Sequence, residues 1–124
     1  MGLFSSLLGN AGVADNQQLQ QEYGKLLTDT IEIGFKLIRD VFIFTNKRLI
    51  LVDKEGITGK KVDYMSVIYK SITRFSIETA GHLELDAELK IWVSSETTPS
   101  VSKRFNKQVN IYDLQKVLAS HVLG

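Results

Sequence analysis

The sequence predicts a mainly β fold: a seven-stranded, partly open antiparallel barrel with an amino-terminal helix and a carboxy-terminal α-helix that caps it. Short apolar stretches separated by turn residues recur between residues 31 and 105. The first connections are only two or three residues long, which makes consecutive strands antiparallel neighbours. A sheet of this length curls on itself, and the helical spacing of the final segment predicts a helix at the open end.

The first three predicted strands follow one another closely. In the segment 31–37, apolar residues at the odd positions alternate with Glu32, Gly34 and Lys36, which predicts a half-buried strand with Ile31 and Ile33 on the same face. The next two strands are two short apolar runs. They are bounded by two tight turns, and the predicted segments are Val41–Thr45 and Leu49–Asp53, with turns at 39–40 and 46–48.

Four further strands are predicted after a loop at residues 54–60. The alternation is clearest in the sixth strand, where Leu89, Ile91 and Val93 share one face and Glu88, Lys90 and Trp92 share the other. The break before it is predicted at 80–82, and the only proline lies in a loop at 96–100. The predicted strands are Lys61–Met65, with a pattern that allows continuation to Ile68, then Ile72–Thr79, Asp86–Ser94 and Val101–Phe105.

Helices are predicted at both ends of the chain. Asp15 is a suitable N-cap for a helix over Asp15–Leu27, within which Gly24 is a weak helix former. Asn110 is a suitable N-cap for the last helix, whose apolar stripe consists of Ile111, Leu114, Val117, Leu118 and Val122. We expect one domain overall, with a helical arm over residues 1–28 and the barrel over residues 29–124.

The composition is typical of a globular protein and excludes several classes of function. The 124 residues include fifteen basic and fourteen acidic ones, which gives a net charge of +1. This balance does not indicate the strongly positive potential of a nucleic-acid-binding protein. The chain has no cysteine, so disulfides, thiolate metal sites and thiol nucleophiles are excluded. The start matches the short M-G-x-x-x-S acylation pattern, but we favour a short apolar helix or arm there that packs on its own domain or on a neighbour.

Several stretches resemble the bacterial family of pleckstrin-homology-like (PH-like) domains. They are FTNKRLILVD (44–53), IYKSITRFSIETAG (68–81), DAELKIWV (86–93) and the closing helix IYDLQKVLASHVL (111–123). The resemblance implies a PH-like fold and a cytoplasmic bacterial protein without enzyme activity or cofactor. It also implies self-assembly into a closed cyclic ring, a pentamer, whose surface mediates protein–protein interaction.

No catalytic or metal-binding constellation is evident in the sequence. Asp86 and Glu88 share one strand face, but carboxylates at that spacing usually serve solubility. The only histidines are His82, in a predicted break, and His121, which falls within the apolar stripe of the last helix. We interpret His121 as a residue at the edge of the core with one satisfied ring nitrogen. We therefore expect no enzyme and no metal or cofactor.

A lipid-binding role is the alternative hypothesis. Lys47 and Arg48 lie in the second turn, and a further basic group consists of Lys54, Lys60 and Lys61. A peripheral membrane or anionic-headgroup site would need both groups to converge in space. We expect instead that the Asn46-Lys47-Arg48 segment is a turn, that Arg48 projects from a sheet edge, and that membrane lipid is not the partner.

Apolar side chains in unexpected places favour an oligomer. Trp92 lies on the polar face of the sixth strand, where either the amino-terminal helix or a neighbouring subunit would cover it. Tyr112 and Leu123 lie off the main stripe of the last helix. These three residues form the candidate oligomer interface, in a homo-oligomer that binds an unidentified protein partner. The candidate interaction surface consists of Arg48, Lys70, Arg74 and Glu88, all expected to point outward.

Overall fold

The computed structural model describes residues 3–10, 12–37, 39–55, 60–79, 86–106 and 109–124. Two helices precede seven strands, and a third helix follows them. Short 3₁₀ turns lie at Gly24–Leu26 and Tyr69–Ser71. The helices are α1 Leu3–Leu7, α2 Asn16–Tyr23 and α3 Ile111–Val122, and the strands are β1 Ile31–Lys36, β2 Val41–Thr45, β3 Arg48–Glu55, β4 Lys61–Ile68, β5 Ile72–Thr79, β6 Asp86–Val93 and β7 Val101–Asn106.

The strands form two antiparallel sheets, which we call sheet A, with the order β1-β2-β3-β4, and sheet B, with the order β5-β6-β7. Both sheets contribute to one main core, together with the apolar stripe of α3. The mainly β fold and the carboxy-terminal helix are thus confirmed. The largest fully buried side chains of this core include Phe35, Phe42, Phe44, Leu89, Phe105 and Leu118.

A second, smaller core lies on the outer face of sheet A, where α2 packs. Leu19 and Tyr23 of α2 cover apolar residues of three strands, which are Ile31, Val41, Ile43, Ile50 and Val52. Gly34 permits this close approach, since a Cβ atom at residue 34 would lie 2.5 Å from Leu19 Cδ1. Sheet A is therefore buried on both faces.

The two-sided burial corrects the prediction for the first strand. A register irregularity between Ile31 and Ile33 places Ile31 in the second core, whereas Ile33 lies in the main core. The shared face predicted for these residues was wrong, because a β-bulge shifts the alternation by one residue. Gly34 is also buried rather than solvated.

Most other boundaries agree with the sequence predictions. β5 has the predicted limits, β4 continues to Ile68, and β7 ends one residue later than predicted. β3 includes Lys54, which was predicted to lie in a loop. The α-helix after Asp15 ends at Tyr23, because the chain continues from Gly24 as a 3₁₀ turn. The predicted break at 80–82, which includes His82, lies outside the described residues, as does Gly2 of the acylation pattern.

The predicted N-caps are confirmed. The Asp15 carboxylate accepts hydrogen bonds from the backbone N–H groups of Gln17 and Gln18, and the Asn110 side chain accepts from those of Tyr112 and Asp113. These bonds satisfy orphan donors in the first helical turn. The side chains thus fix where α2 and α3 begin.

Two carboxylates of sheet A bind one lysine of sheet B. Lys103 Nζ in β7 lies 2.8 Å from Asp53 Oδ2 in β3 and 3.3 Å from Asp40 Oδ2, next to the start of β2. The hydrogen bond from Lys103 holds the pKa of Asp53 below its usual range. The cluster links the two sheets at one edge of the shared core.

Candidate interaction surface

The outer face of sheet B has no helix packed on it among the described packing contacts, and it is polar. The strand register places Arg74 of β5 beside Trp92 of β6, and Glu88 of β6 beside Arg104 of β7. Three of the predicted surface residues, Arg74, Glu88 and Trp92, therefore share one face. The remaining side chains of this face are Ser76, Glu78, Lys90 and Ser102.

Arg74 and Trp92 form a cation–π pair. The guanidinium carbon of Arg74 lies 4.3 Å from the centroid of the Trp92 ring, and the indole is half-buried. A guanidinium at this distance is attracted by the negative face of the ring. Trp92 is the one large aromatic side chain of this polar face among the described residues.

A β-bulge in β5 positions Arg74. The register shifts between Ile72 and Arg74, so that Thr73 and Arg74 are both exposed, although they are consecutive residues. The Thr73 hydroxyl donates a 2.9 Å hydrogen bond to the backbone oxygen of Ser94, just beyond the end of β6. Ser94 itself has a φ of +52°, which is uncommon for a residue other than glycine.

These residues line an open cleft of about 410 Å³. One wall is the Arg74–Trp92 pair, and the other is the turn after β6, which supplies mainly hydroxyl groups. The indole N–H of Trp92 is buried and has no hydrogen-bond partner among the described residues. The full lining is Thr73, Arg74, Trp92, Ser94, Ser95, Glu96 and Thr97.

Glu88 lies farther along the same face and is engaged by its neighbours. One carboxylate oxygen accepts a 2.8 Å hydrogen bond from the Ser102 hydroxyl, and the other lies 3.9 Å from Lys90 Nζ. Lys70 is exposed but belongs to the 3₁₀ turn after β4, not to this face. The four residues predicted as one interaction surface therefore lie at three places, since Arg74 and Glu88 share this face, Lys70 lies in the 3₁₀ turn and Arg48 lies in β3.

Arg48 is held on the outer face of sheet A by a network of its own. Its Nε and Nη2 atoms each lie 3.0 Å from a different oxygen of Asp29, and Nη1 donates to the Ser66 hydroxyl at 2.8 Å. The hydrogen bond from Arg48 lowers the pKa of Asp29 to about 2. The prediction that Arg48 projects from a sheet edge was wrong, because β3 lies between β2 and β4 and the half-buried guanidinium is paired with Asp29.

The predicted turn between β2 and β3 is present at Asn46 and Lys47, and Arg48 is already the first residue of β3. The Thr45 side-chain oxygen accepts from the backbone N–H groups of Lys47 and Arg48, and the Asn46 side-chain oxygen accepts from Thr30 N–H. The Tyr69 hydroxyl, which lies in the 3₁₀ turn after β4, donates a buried 2.7 Å hydrogen bond to the Thr45 carbonyl oxygen. These four hydrogen bonds, of which that of Tyr69 is buried, fix the conformation of the turn.

The two basic groups of the lipid-binding hypothesis do not converge. Lys47 precedes β3, whereas Lys54 lies near its other end, where Glu55 pairs with Lys61 of β4. Seven residues of extended strand separate Lys47 and Lys54 by about 23 Å. Lys54 Nζ also lies 3.8 Å from a carboxylate oxygen of Glu22.

The amino-terminal helix α1 contacts α3. Phe4 stacks on His121 with ring centroids 5.9 Å apart, and His121 also stacks on Tyr69 at 4.1 Å. The Nε2 atom of His121 lies 2.8 Å from Glu32 Oε1, which confirms a histidine at the core edge with a satisfied nitrogen. Leu7 is buried in the main core, so the apolar arm packs on its own domain.

Several large apolar side chains remain exposed. Tyr112 and Leu123 of α3 have 51% and 77% of their surface exposed, in agreement with their position off the buried stripe. Two further exposed apolar side chains, Tyr64 and Ile68 on β4, were not predicted. Their spacing of four residues in a strand, with Ser66 between them, was the available signal that they share a face.

The described part of the chain contains neither a membrane-spanning helix nor a cluster of metal-binding side chains. No helix there is long and apolar enough to cross a membrane. The same residues contain no group of three or more histidine, aspartate or glutamate side chains that could hold a metal ion.

The chain is similar to known proteins over almost its whole length. The family model described as bacterial PH domain matches residues 2–122. The uncharacterized protein YjqA of Bacillus subtilis strain 168 is 54% identical over 122 residues, which cover 97% of this chain and 98% of the relative. A second uncharacterized protein of that organism, YozO, is 34% identical over 94 residues, 76% of this chain and 79% of YozO.

Solved structures show the same similarity. The pleckstrin homology domain from Shewanella amazonensis SB2B has a TM-score of 0.84 and 42% identity, over 99% of this chain and 100% of that one. A DUF1696 family protein with a pleckstrin-homology domain from Shewanella loihica PV-4 has a TM-score of 0.77 and 45% identity, over 92% of this chain and 98% of that one.

Proposed function

This chain belongs to the bacterial PH domain family, and we propose that it is a non-enzymatic scaffold that self-assembles into a cyclic homo-oligomer and mediates protein–protein interaction in the cytoplasm. The observation that carries the proposal is an exposed apolar strip on β4, at the edge of sheet A. An edge strand also presents backbone groups that can pair with another chain. A second copy of the chain would cover both the apolar strip and these backbone groups.

The strip exists because α2 covers only part of sheet A. Tyr64 and Ile68 lie opposite Val52 and Arg48 of β3, on the face that α2 covers over β1, β2 and β3. The Tyr23 ring of α2 lies beside the Tyr64 ring, with centroids 6.4 Å apart. Tyr64 and Ile68 remain 48% and 56% exposed, and Leu26 after α2 is 42% exposed.

A ring follows if this strip meets a different patch of the next copy. Contacts between unlike patches are heterologous, and they close into a ring when the rotation between subunits allows it. The second patch in the proposal consists of Tyr112 in α3 and Leu123 directly after it, and it leaves out Trp92, which lies on the outer face of sheet B. The resemblance to PH-like domains supports a five-membered ring, in which each subunit is a partly open barrel tied at one edge by Lys103.

The test is the mass of the assembly in solution, measured by light scattering on a sizing column. We expect one species at several times the 13.9 kDa chain mass. The variant Tyr64→Ser/Ile68→Lys should shift this species to the monomer, because it places charge in an apolar contact. Its far-ultraviolet circular dichroism should remain that of the parent chain.

The matched control is Gln21→Lys, which adds the same charge at an exposed position of α2. It should leave the assembly intact. A parent chain that elutes as a clean monomer contradicts self-assembly. An oligomer that survives the β4 double change assigns the contact to another surface.

A further inference from the structure

Three unusual features lie at the cleft on sheet B, two in the backbone and one in a side chain. β5 has a bulge at Thr73, Ser94 has a positive φ, and the Trp92 indole N–H is buried without a partner among the described residues. Each feature costs stability, since a non-glycine residue in the left-handed region is strained and an unpaired buried donor loses its hydration. Such features concentrate where a structure is shaped for binding.

The exposed charged donor of the cleft is Arg74. Its guanidinium has five N–H groups, no acceptor atom and no ionic partner among the described residues. The hydroxyl groups of the lining can donate or accept, and that of Thr73 already donates to the Ser94 backbone oxygen. The one carboxylate of the lining, that of Glu96, accepts a hydrogen bond from Ser100 at 3.2 Å. A ligand that complements this lining is an acceptor.

The charge of the cleft selects the kind of acceptor. Arg74 is the single cation of the lining, and Glu96 contributes one negative charge. A phosphate group, which carries up to two charges, would need more cations than this. A carboxylate matches one guanidinium, because its two oxygens accept two parallel N–H groups of the fork. Stacking on Trp92 uses the face of the guanidinium and leaves its N–H edges available.

We propose that the cleft between Arg74, Trp92 and the Ser94–Thr97 turn binds a glutamate or aspartate side chain of a protein partner. The inference rests on the protein-binding part of the proposed function and names the chemistry that this surface recognises. The volume of about 410 Å³ lies within the usual range for a small-ligand site. The adjacent β5 is an edge strand of sheet B, so an extended partner segment has room beside it.

The single tryptophan supplies a direct readout. In a ¹⁵N-labelled full-length chain, the side-chain resonance of the indole N–H belongs to Trp92 alone. We would titrate it with the peptide acetyl-Ala-Glu-Ala-amide and, as a control, with acetyl-Ala-Gln-Ala-amide. We expect a saturable shift with the glutamate peptide and none with the glutamine peptide.

Substitutions at Arg74 test the assignment. Arg74→Gln should weaken binding about tenfold or more, because charge-assisted hydrogen bonds are worth about 1.5–3 kcal/mol. Arg74→Lys keeps the charge but loses the fork and should give an intermediate loss. Lys36→Gln in β1 is the matched control. It removes one exposed positive charge outside the cleft and should leave the titration unchanged.

Several results would overturn the inference. They are no response to the glutamate peptide, an equal response in Arg74→Gln, and an equal or stronger response to inorganic phosphate. Light scattering on the same samples keeps this test separate from the proposed function. An assembled chain with no carboxylate response refutes the cleft alone, and a monomer that responds refutes self-assembly alone.

Discussion

The outer faces of the two sheets differ in what covers them. On sheet A, α2 covers apolar residues of three strands, among them Ile43 and Val52, which are 0% and 1% exposed. On sheet B the corresponding face presents Ser76, Lys90 and Arg104. Strands of the same geometry thus pack under a helix in one sheet and present a polar surface in the other.

The difference originates in the sequence pattern of the strands. β2 and β3 contain continuous apolar runs, VFIF and LILV, which supply one core with their even or odd positions and the second core with the rest. β6 alternates except at Trp92, so one face packs and the other is mainly polar. A continuous run therefore predicts burial on both faces, and alternation predicts burial on one.

The largest effect expected from this comparison is that of Ile43→Ala. The side chain is completely buried under α2, and its truncation should lower the free energy of unfolding by about 2–5 kcal/mol. Urea denaturation followed by circular dichroism measures this. Ser76→Ala is the control on sheet B and should change stability by less than about 0.5 kcal/mol. Equal costs at the two positions would contradict one-sided burial of sheet B.

The sequence predicted the strands well because their signals are local. Alternation, apolar runs and N-caps located β2, β5, β6 and α3 within about one residue. Contacts between distant segments left no such signal. The bulge turns Ile31 into the core that Leu19 and Tyr23 of α2 share, and the pairing of Arg48 with Asp29 joins residues nineteen positions apart. The Arg74–Trp92 pair likewise depends on the register of two strands.

Charged pairs on the two sheets should differ in how much they stabilise the fold. The Asp29 carboxylate, with 4% of its side chain exposed, is bound by Arg48, whereas the Glu88–Lys90 pair on sheet B is partly exposed. Asp29→Asn should cost about 2 kcal/mol at neutral pH, from a pKa lowered by nearly two units. Glu88→Gln should cost no more than about 1 kcal/mol. Urea denaturation of both variants measures the difference.

The acid dependence of stability checks the same pair. Because the pKa of Asp29 is lower in the folded chain, its contribution is complete above the ordinary pKa of an aspartate, about 3.9. That contribution is lost as the pH falls through this value towards 2. Asp29→Asn should therefore reduce the fall in stability between about pH 5 and pH 2. A parallel acid limb in the parent and the variant would contradict the buried pair.

The smallest effect predicted concerns the close approach of α2 to β1. In Gly34→Ala the new Cβ would lie 2.5 Å from Leu19 Cδ1, so the leucine or the helix must shift. We expect a loss of about 1 kcal/mol in the free energy of unfolding, at the low end of overpacking costs.

In the Leu19→Ala background the methyl group has room, and the same change should cost less or stabilise the strand, since alanine restricts the unfolded chain more than glycine. A double-mutant cycle measures the coupling between the two positions. A coupling energy of zero would mean that α2 does not rest on residue 34, and the outer face of sheet A would then owe its burial to Tyr23 and the end of the helix.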